Sequence, residues 1–335
     1  MEIWVLGASG RTGRAITAEL AARDLPAVLV GRNRERLEAT GSKFVVADGV
    51  EAIAAEIRRQ RPSVVVNTIG EYAATAATIA RACLPNGHYV DLAADPVAVQ
   101  RVLDLHEEAL SGGSTFVTGA GFGVLATEAV VVKLCEGRPT PSRVQVDALA
   151  SVAIEEGSMG VALAASIVDA LTTDPAELGA NPRTITLPDG ETVKSATVPS
   201  GELIAAQRAS GAPDVTVTSA LAPSAPLVRA LLPLLGRVLS IPALRRFAVR
   251  RLAAIRAKAA PRPRTHSWGH AVVTWPDGTT REGWLRAGEG MDFTAAVVAE
   301  TAARLARGEG KPGAHTPAAV FGAGLAEAAG GTFVL

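Results

Sequence analysis

Gly7-Ala8-Ser9-Gly10-Arg11-Thr12-Gly13 is the stretch that decides the fold of this chain. It follows the apolar run Ile3-Trp4-Val5-Leu6 and precedes residues 14–23, whose apolar positions recur at helical spacing. In such a turn the first glycine lets the chain reverse, the second lets backbone N–H groups approach a phosphate, and the third lets the helix pack close. The stretch therefore predicts a strand, a turn and a helix that bind the pyrophosphate of a dinucleotide. The predicted contacts are Gly7, Ser9, Gly10, Arg11, Thr12 and Gly13.

The end of the second predicted strand, 26–30, indicates which dinucleotide binds. There the sequence reads Gly31-Arg32-Asn33-Arg34. A site for NAD usually has an acidic residue at this point for the ribose 2′-hydroxyl, whereas an arginine suits a 2′-phosphate. We therefore predict NADP(H), with Arg32 on the phosphate, helped by Arg11 or Arg34, and with Asn33 beside it. The alternative is a nucleotide-type fold whose site is dead and whose arginines are only solvated.

Composition excludes several classes of protein. The chain has 335 residues, 48% of them hydrophobic, which is enough for two domains, or one domain with a large insertion, and for a sizeable core. Its net charge of zero argues against nucleic-acid binding. The two cysteines and five histidines show no metal-binding spacing. We expect no metal, no signal peptide, no membrane-spanning segment and a cytoplasmic location.

Strand and helix patterns alternate six times over the first half of the chain, with short connections. This alternation is typical of an α/β fold with a Rossmann-type, doubly wound parallel sheet, in which ligands bind at the carboxyl ends of the strands. Asp48 follows the third predicted strand and either contacts the adenine or caps the next helix. Asn67 and Gly70 follow the fourth, where Gly70 permits close approach of the nicotinamide ribose.

Several short motifs give this chain a family resemblance. Besides the glycine turn and Val30-Gly31-Arg32-Asn33, they are Gly70-Glu71-Tyr72, Ala82-Cys83, Gly87-His88-Tyr89-Val90-Asp91-Leu92, His106 with Ala109, and Gly121-Phe122. Over about the first 130 residues, and again at 312–322, the chain resembles the saccharopine dehydrogenase-like superfamily, including its saccharopine reductase-like or trans-acting enoyl reductase branch. The resemblance implies an NAD(P)H-dependent reductase of C=N or C=C bonds.

The sequence also departs from the pattern of this superfamily. The family often shows Gly-Phe-Asp-x-x-Pro-x-Asp, where this chain has Gly123, Ala126 and Glu128 in place of Asp, Pro and the last Asp. Asp95 stands where a glutamate is common after the fifth strand. These changes leave the predicted cofactor site intact and affect the substrate side.

The second half of the chain predicts a different kind of domain. Hairpin signals Pro188-Asp189-Gly190 and Pro276-Asp277-Gly278 lie between strand patterns. We expect an inserted α+β domain with an antiparallel sheet. The predicted bounds are a Rossmann domain at 1–138, a substrate and dimerisation domain at 139–300, and a return segment at 301–335 that packs on the Rossmann domain.

A basic, leucine-rich stretch from Arg229 to Arg264 contains ten Arg or Lys residues and no acidic residue. Such a stretch either meets a membrane surface or an acidic partner, or consists of helices with solvated arginines that cover a sheet or a dimer contact. In the resembled family, an acyl or peptidyl carrier protein is an acidic partner of this kind.

The candidate catalytic residues are Tyr72, Asp91 and Asp95. Tyr72 either donates a proton or a hydrogen bond, or its ring stacks on the cofactor or packs in the seam between the domains. The two aspartates either hold an amine or imine cation or, for Asp95 above all, cap a helix before Pro96. We expect His88 to lie away from the site and His106 to be a core histidine. Further residues either line the substrate cleft or pack in the second domain: Glu128, Glu155, Met159, His266, Trp268 and His270.

These observations predict an NADP(H)-dependent oxidoreductase that reduces an imine or an activated alkene of a small metabolite, in secondary metabolism, as a homodimer. One alternative is a trans-acting enoyl reductase that works on a carrier-bound acyl chain and docks through the basic stretch. The other is a redox-silent NADP-binding sensor or scaffold.

Overall fold

The computed structural model describes residues 2–158, 161–174, 177–223 and 226–335. The chain divides into two compact units. The first contains Met1–Gly121 and Met291–Gly330, and the second contains Phe122–Gly290 and Gly331–Leu335. These units do not follow the predicted bounds of 1–138, 139–300 and 301–335, because the helix after Gly121 packs on the second sheet.

Strands and helices alternate along the first 121 residues. The strands are β1 Ile3–Leu6, β2 Ala27–Gly31, β3 Phe44–Val46, β4 Val64–Asn67, β5 His88–Asp91 and β6 Thr115–Val117. The helices are α1 Arg11–Ala21, α2 Arg34–Glu38, α3 Val50–Gln60, α4 Tyr72–Ala82, α5 Pro96–Leu103 and α6 His106–Ser111. One predicted helix at 96–110 is thus two helices, because the buried Leu105 leaves helical geometry between them.

The second unit mixes strands and helices over residues 122–289. Its elements are α7 Phe122–Cys135, β7 Arg143–Leu149, β8 Gly157–Ser158, α8 Val161–Thr173, β9 Arg183–Thr186, β10 Thr192–Thr197, α9 Gly201–Ser210, β11 Asp214–Ser219, α10 Pro226–Leu239, α11 Pro242–Ala253, β12 Arg256–Ala257, β13 Ser267–Thr274 and β14 Thr280–Ala287. The chain ends with α12 Gly290–Ala306, β15 Gly313–His315, α13 Pro317–Phe321, α14 Gly324–Ala328 and β16 Thr332–Val334.

The first sheet is parallel throughout and has the strand order β15-β6-β5-β4-β1-β2-β3. This confirms the predicted Rossmann-type sheet and adds β15 as a seventh strand. Two of its central strands, β1 (Ile3–Leu6) and β4 (Val64–Asn67), are buried along their whole length, as expected for a sheet covered on both faces. The carboxyl ends of β1, β2, β4 and β5 therefore lie side by side at one edge.

The second sheet has the order β16-β14-β13-β7-β11-β10-β9. The antiparallel prediction is wrong in one place, because β7 and β11 are parallel. A parallel pair needs a crossover connection, and α9, which packs on both strands, lies in it. Both predicted hairpins are present, as β9–β10 and β13–β14.

Candidate functional site

The turn between β1 and α1 has a geometry that only glycine fits. Gly7 adopts φ +73° and donates its N–H to the Val30 oxygen at 2.9 Å. Gly10 donates to the Gly7 oxygen at 2.9 Å. A Cβ on Gly13 would lie 2.5 Å from that oxygen and 2.7 Å from Ala8 Cα. The close packing of the helix against the turn therefore depends on Gly13.

The amino end of α1 is open to an anion. Its N-cap is Gly10, no side chain caps it, and its first turn contains no acidic residue. Unsatisfied N–H groups and the positive end of the helix dipole suit a pyrophosphate. Ser9, Arg11 and Thr12 border this end and are half-buried. The residues present therefore fit a dinucleotide.

Three polar residues that follow β2 differ in their hydrogen-bond and ion-pair partners. Arg32 is exposed and has no hydrogen-bond or ion-pair partner among the described residues. Asn33 caps α2, where its side chain accepts the Arg36 N–H at 2.9 Å. Arg34 pairs with Glu38 at 3.2 Å. Arg32 is thus the arginine of this group that is available to a phosphate.

Asp48 and Gly70 also lie at carboxyl ends of strands. Asp48 is exposed just before α3, whose N-cap is Gly49. Gly70 adopts φ +75°, and the next residue, Glu71, is also left-handed at φ +46°. A left-handed conformation is uncommon for a residue with a side chain and recurs at functional sites, so Glu71 marks this loop although the sequence did not single it out.

Asn67 joins two tyrosines below this loop. Its amide nitrogen donates to the Tyr89 hydroxyl at 3.0 Å, and its backbone oxygen accepts from the Tyr72 hydroxyl at 3.3 Å. Burial, together with the nearby Asp91 carboxylate, raises the pKa of both tyrosines well above the usual value. Both phenols therefore stay protonated as donors at neutral pH.

Asp91 is fully buried at the end of β5. Its Oδ1 accepts hydrogen bonds from the Ala93 N–H at 3.0 Å, the Thr118 hydroxyl at 2.9 Å and the Gly119 N–H at 3.0 Å. Its buried Oδ2 accepts no hydrogen bond of good geometry, although the Tyr89 hydroxyl lies near enough to the carboxylate to oppose the rise in its pKa. Burial raises the pKa of Asp91 even though these hydrogen bonds oppose the shift. Asp91 thus links the exits of β5 and β6.

Asp95 is the N-cap of α5, because its Oδ1 accepts the Ala98 N–H at 2.7 Å before Pro96. This is the capping arrangement that the sequence left open. Roles of Tyr72, Asp91 and Asp95 in catalysis stay predictions.

The histidines of the first unit serve its sheet. His88 Nδ1 accepts the Thr115 N–H at 3.0 Å, and burial lowers its pKa. His106 Nδ1 lies 3.2 Å from both the backbone nitrogen and oxygen of Ala314, and its ring packs edge-on against His315. The first contact joins β5 to β6, and the second joins α6 to β15.

A buried polar cluster lies in the second sheet. His270 Nδ1 is 2.6 Å from Asp147 Oδ2, and its Nε2 is 3.0 Å from Glu282 Oε1. The ring stacks on Trp284 with 3.8 Å between centroids. Asp147 also pairs with Arg183 and accepts from the Thr218 hydroxyl. Burial alone raises the pKa of Asp147, but His270, Thr218 and Arg183 together bring it below the usual value.

The other second-unit candidates are scattered. His266 packs edge-on against Trp268, Glu128 is buried in α7, and Glu155 is exposed. Met159 lies outside the described residues. Their part in a substrate cleft stays a prediction.

Glu202 on α9 was missed by the sequence analysis. Its carboxyl fills the space where a side chain on Gly123 would lie, since a Cβ there would collide with it. Glu202 is buried, its Oε2 has no hydrogen-bond partner, and burial raises its pKa. A carboxyl is thus present beside position 123, where the resembled family often has an aspartate. No sequence motif pointed to it, because it comes from a distant helix.

Two further features are absent from the part of the chain that the structure describes. No three His, Cys, Asp or Glu side chains are grouped so that they could hold a metal ion. In the same ranges, no helix is both long and apolar enough to cross a membrane.

Residues 3–117 match the family model of the saccharopine dehydrogenase NADP binding domain. Among solved structures, saccharopine dehydrogenase (L-Glu forming) from Saccharomyces cerevisiae matches over 100% of both chains, with 13% identity and a TM-score of 0.61. A probable dehydrogenase from Thermotoga maritima matches over 98% of this chain and 94% of its own, with 12% identity and a TM-score of 0.47. A comparison with curated proteins found no match.

The family model covers the glycine turn, Arg32 and the strands that end at Asn67 and Asp91. The yeast structure shows that the fold extends over the whole chain. Both findings agree with the resemblance that the motifs gave and with the open helix end beside an unpartnered arginine. Residues 3–117 therefore form a domain of the saccharopine dehydrogenase NADP-binding type, which supports NADP(H) as its cofactor, and the chain as a whole shares the fold of the yeast enzyme.

Proposed function

We propose that this protein is an NADPH-dependent reductase that transfers hydride to an imine or to an activated C=C bond of a small metabolite. One observation carries the proposal. Strands β1, β2 and β4 are neighbours in a parallel sheet. They are followed, in that order, by the turn that requires glycine, by Arg32 and by Tyr72. A cofactor site and a proton donor thus share one edge.

The chain's own residues perform the binding. When bound, NADPH supplies the hydride. The turn at Gly7, Gly10 and Gly13, with the amino end of α1, would hold the pyrophosphate. Arg32 would pair with the 2′-phosphate, because a guanidinium binds phosphate through two parallel hydrogen bonds. The buried backbone of Gly70 would let the nicotinamide ribose come close.

Tyr72 is the proposed proton donor. Like any tyrosine, Tyr72 is protonated at neutral pH, burial raises its pKa further, and its hydroxyl donates to the Asn67 backbone oxygen at 3.3 Å. Asp91, buried nearby, would act by position, because it ties together the loops that follow β5 and β6. Asp95 remains the proposed partner of a substrate cation alongside its capping role.

The first experiment is calorimetric titration with NADPH and NADH. We expect NADPH to bind far more tightly, and Arg32→Ala to weaken NADPH binding by about tenfold to a hundredfold, because a charge-assisted hydrogen bond is lost. Arg58→Ala is the control, since Arg58 is exposed near the far end of α3. Equal binding of both cofactors by wild type would remove the argument from Arg32.

The second experiment follows the nicotinamide absorbance with a panel of imines and enoyl thioesters. We expect Tyr72→Phe to lower kcat by about a hundredfold or more while NADPH affinity stays unchanged, because positioned proton donors contribute this much. An unchanged kcat would assign proton delivery to solvent or to another group.

The same panel of substrates also tests the two alternative functions. Turnover of carrier-bound acyl chains but not of free metabolites would favour the trans-acting enoyl reductase, and tight NADPH binding without any turnover would favour the sensor. A homodimer, a cytoplasmic location and a role in secondary metabolism stay predictions.

A further inference from the structure

Exposed apolar side chains are concentrated in one part of the second unit. Among the described residues, sixteen large apolar side chains are exposed, and nine of them fall within 221–255. Seven of the nine belong to α10, to α11 or to the residue just before α11. They are Leu231, Leu234, Leu235, Val238, Ile241, Leu244 and Phe247.

Helix α10 has two apolar stripes instead of one. Leu232 and Leu239 are buried, and α10 packs on α8 and α11. Leu231, Leu234, Leu235 and Val238 recur at i, i+3, i+4 and i+7 and are exposed, with Leu234 at 64%. A helix that only covers the core needs the first stripe, so the second is available to something else.

The charged residues of α10 and α11 are all basic. Arg237, Arg246 and Arg250 are exposed and have no acidic partner among the described residues. Arg251 stacks over Phe247, with its Cζ 5.2 Å from the ring centroid. Arg245 differs, because it pairs with Asp169 on α8 at 2.6 Å and so fastens α11 to the unit.

We infer that this basic apolar surface, formed by the seven apolar residues with Arg237, Arg246, Arg250 and Arg251, binds the headgroup region of an anionic phospholipid membrane. Helices with large apolar side chains beside arginines lie in that interface: the apolar groups enter the acyl boundary while the cations meet lipid phosphates. The protein would bind on the bilayer without crossing it.

The positive charge of this surface argues against a second copy of the chain as its partner. If this surface met itself, its arginines would face one another, and no acidic residue lies between Asp214 and Asp277 to neutralise them. The exposed apolar side chains argue against an acidic protein as the partner. Seven large ones on two helices and the turn between them would need a matching apolar surface on that protein, whereas a lipid interface accepts them in any arrangement.

The test measures co-sedimentation of the full chain with vesicles. One set contains neutral phosphatidylcholine, and the other contains about a third phosphatidylglycerol, enough to attract basic segments. We expect binding to the anionic vesicles at least about tenfold tighter, and a decrease as salt rises above the physiological range.

Two variants and two matched controls locate the surface. Leu234→Ser with Phe247→Ser removes apolar contacts, and the control is Leu110→Ser with Leu203→Ser, which are exposed elsewhere. Arg246→Gln, Arg250→Gln and Arg251→Gln remove charge, and the control is Arg58→Gln, Arg208→Gln and Arg286→Gln. We expect each variant of the surface to weaken vesicle binding about tenfold, and the controls to bind like wild type.

Three results would overturn the inference. The first is equal binding to neutral and anionic vesicles, or none to either. The second is a dimer in light scattering that the Leu234→Ser, Phe247→Ser variant dissociates. The third is salt-sensitive binding to an acyl carrier protein in the absence of vesicle binding. Circular dichroism of each variant checks that it folds, and NADPH titration gives an independent measure of the first unit.

Discussion

Asp91 and Asp147 are two fully buried carboxylates whose pKa values move in opposite directions. Asp91 ends strand β5 of the first sheet and receives only neutral donors, so burial raises its pKa. Asp147 lies inside β7 of the second sheet and faces Arg183 and His270, so its pKa is lowered despite burial. The difference shows that burial alone does not fix the charge state; the charge of the partners does.

The two sheets explain this contrast. In the parallel sheet, polar residues collect at strand ends, where one oxygen of Asp91, beside the predicted cofactor edge, accepts no hydrogen bond of good geometry. In the mixed sheet, Asp147, His270 and Thr218 are direct neighbours across adjacent strands and are bonded to one another or to the same carboxylate. The arrangement around Asp91 suits a ligand-binding site, and the arrangement around Asp147 suits stabilisation of the fold.

The largest effect would break the second sheet's cluster. Asp147→Asn leaves Arg183 and His270 without their buried carboxylate, and we expect the free energy of unfolding to fall by about 3 kcal/mol. Asp214→Asn is the matched control, because its pair with Arg143 is exposed, and there we expect less than about 1 kcal/mol. Urea unfolding measures both, and equal losses would mean that the cluster is no stronger than a surface pair.

We expect the next largest effect from a disruption of the glycine turn at the carboxyl edge of the first sheet. Gly13→Ala forces a Cβ against the Gly7 oxygen, so the turn must open. We expect a loss of about 1–3 kcal/mol in stability and at least about tenfold weaker NADPH binding. The control is Gly324→Ala, where an added Cβ meets no atom within 4 Å. Unchanged NADPH affinity in Gly13→Ala would show that the turn does not hold the pyrophosphate.

A pH series would sharpen the comparison of the two aspartates. Asp147, with its lowered pKa, stabilises the fold at neutral pH and loses that contribution as pH falls below the usual aspartate range. The deficit of Asp147→Asn should therefore shrink as pH falls. Asp91, with its raised pKa, destabilises the fold when charged, so Asp91→Asn should lose stability relative to wild type as pH falls. Parallel trends in urea unfolding would refute the opposite shifts.

The smallest effect separates capping from binding at the first edge. Asn33→Ala removes the hydrogen bond from the Arg36 N–H and should cost about 1 kcal/mol or less. Asn33→Ser keeps a cap and should cost less. If both variants also weaken NADPH binding equally, Asn33 contacts the cofactor; if neither does, its role is capping alone.

The sequence predicted the first unit better than the second, for a physical reason. Short parallel strands followed by glycine turns are local patterns, so the β1–α1 turn and the exposed Arg32 were predicted from residues close in the chain. Helix α7 was missed because it is buried on nearly every side and has no polar face to give a helical period. Glu202 and the Asp147 cluster depend on contacts between distant residues, which no local pattern reveals.

Strand β15 comes late in the chain, and this has a consequence for folding during synthesis. It completes the first sheet beside β6, and the contact between His106 and Ala314 joins residues 208 positions apart. At ribosomal rates of about 5–20 residues per second, β6 waits roughly 10–40 seconds for this neighbour. During that time its edge is an unpaired strand that can join another nascent chain. The non-local closure thus leaves the amino-terminal unit, although translated first, unfinished until nearly the whole chain has been synthesised.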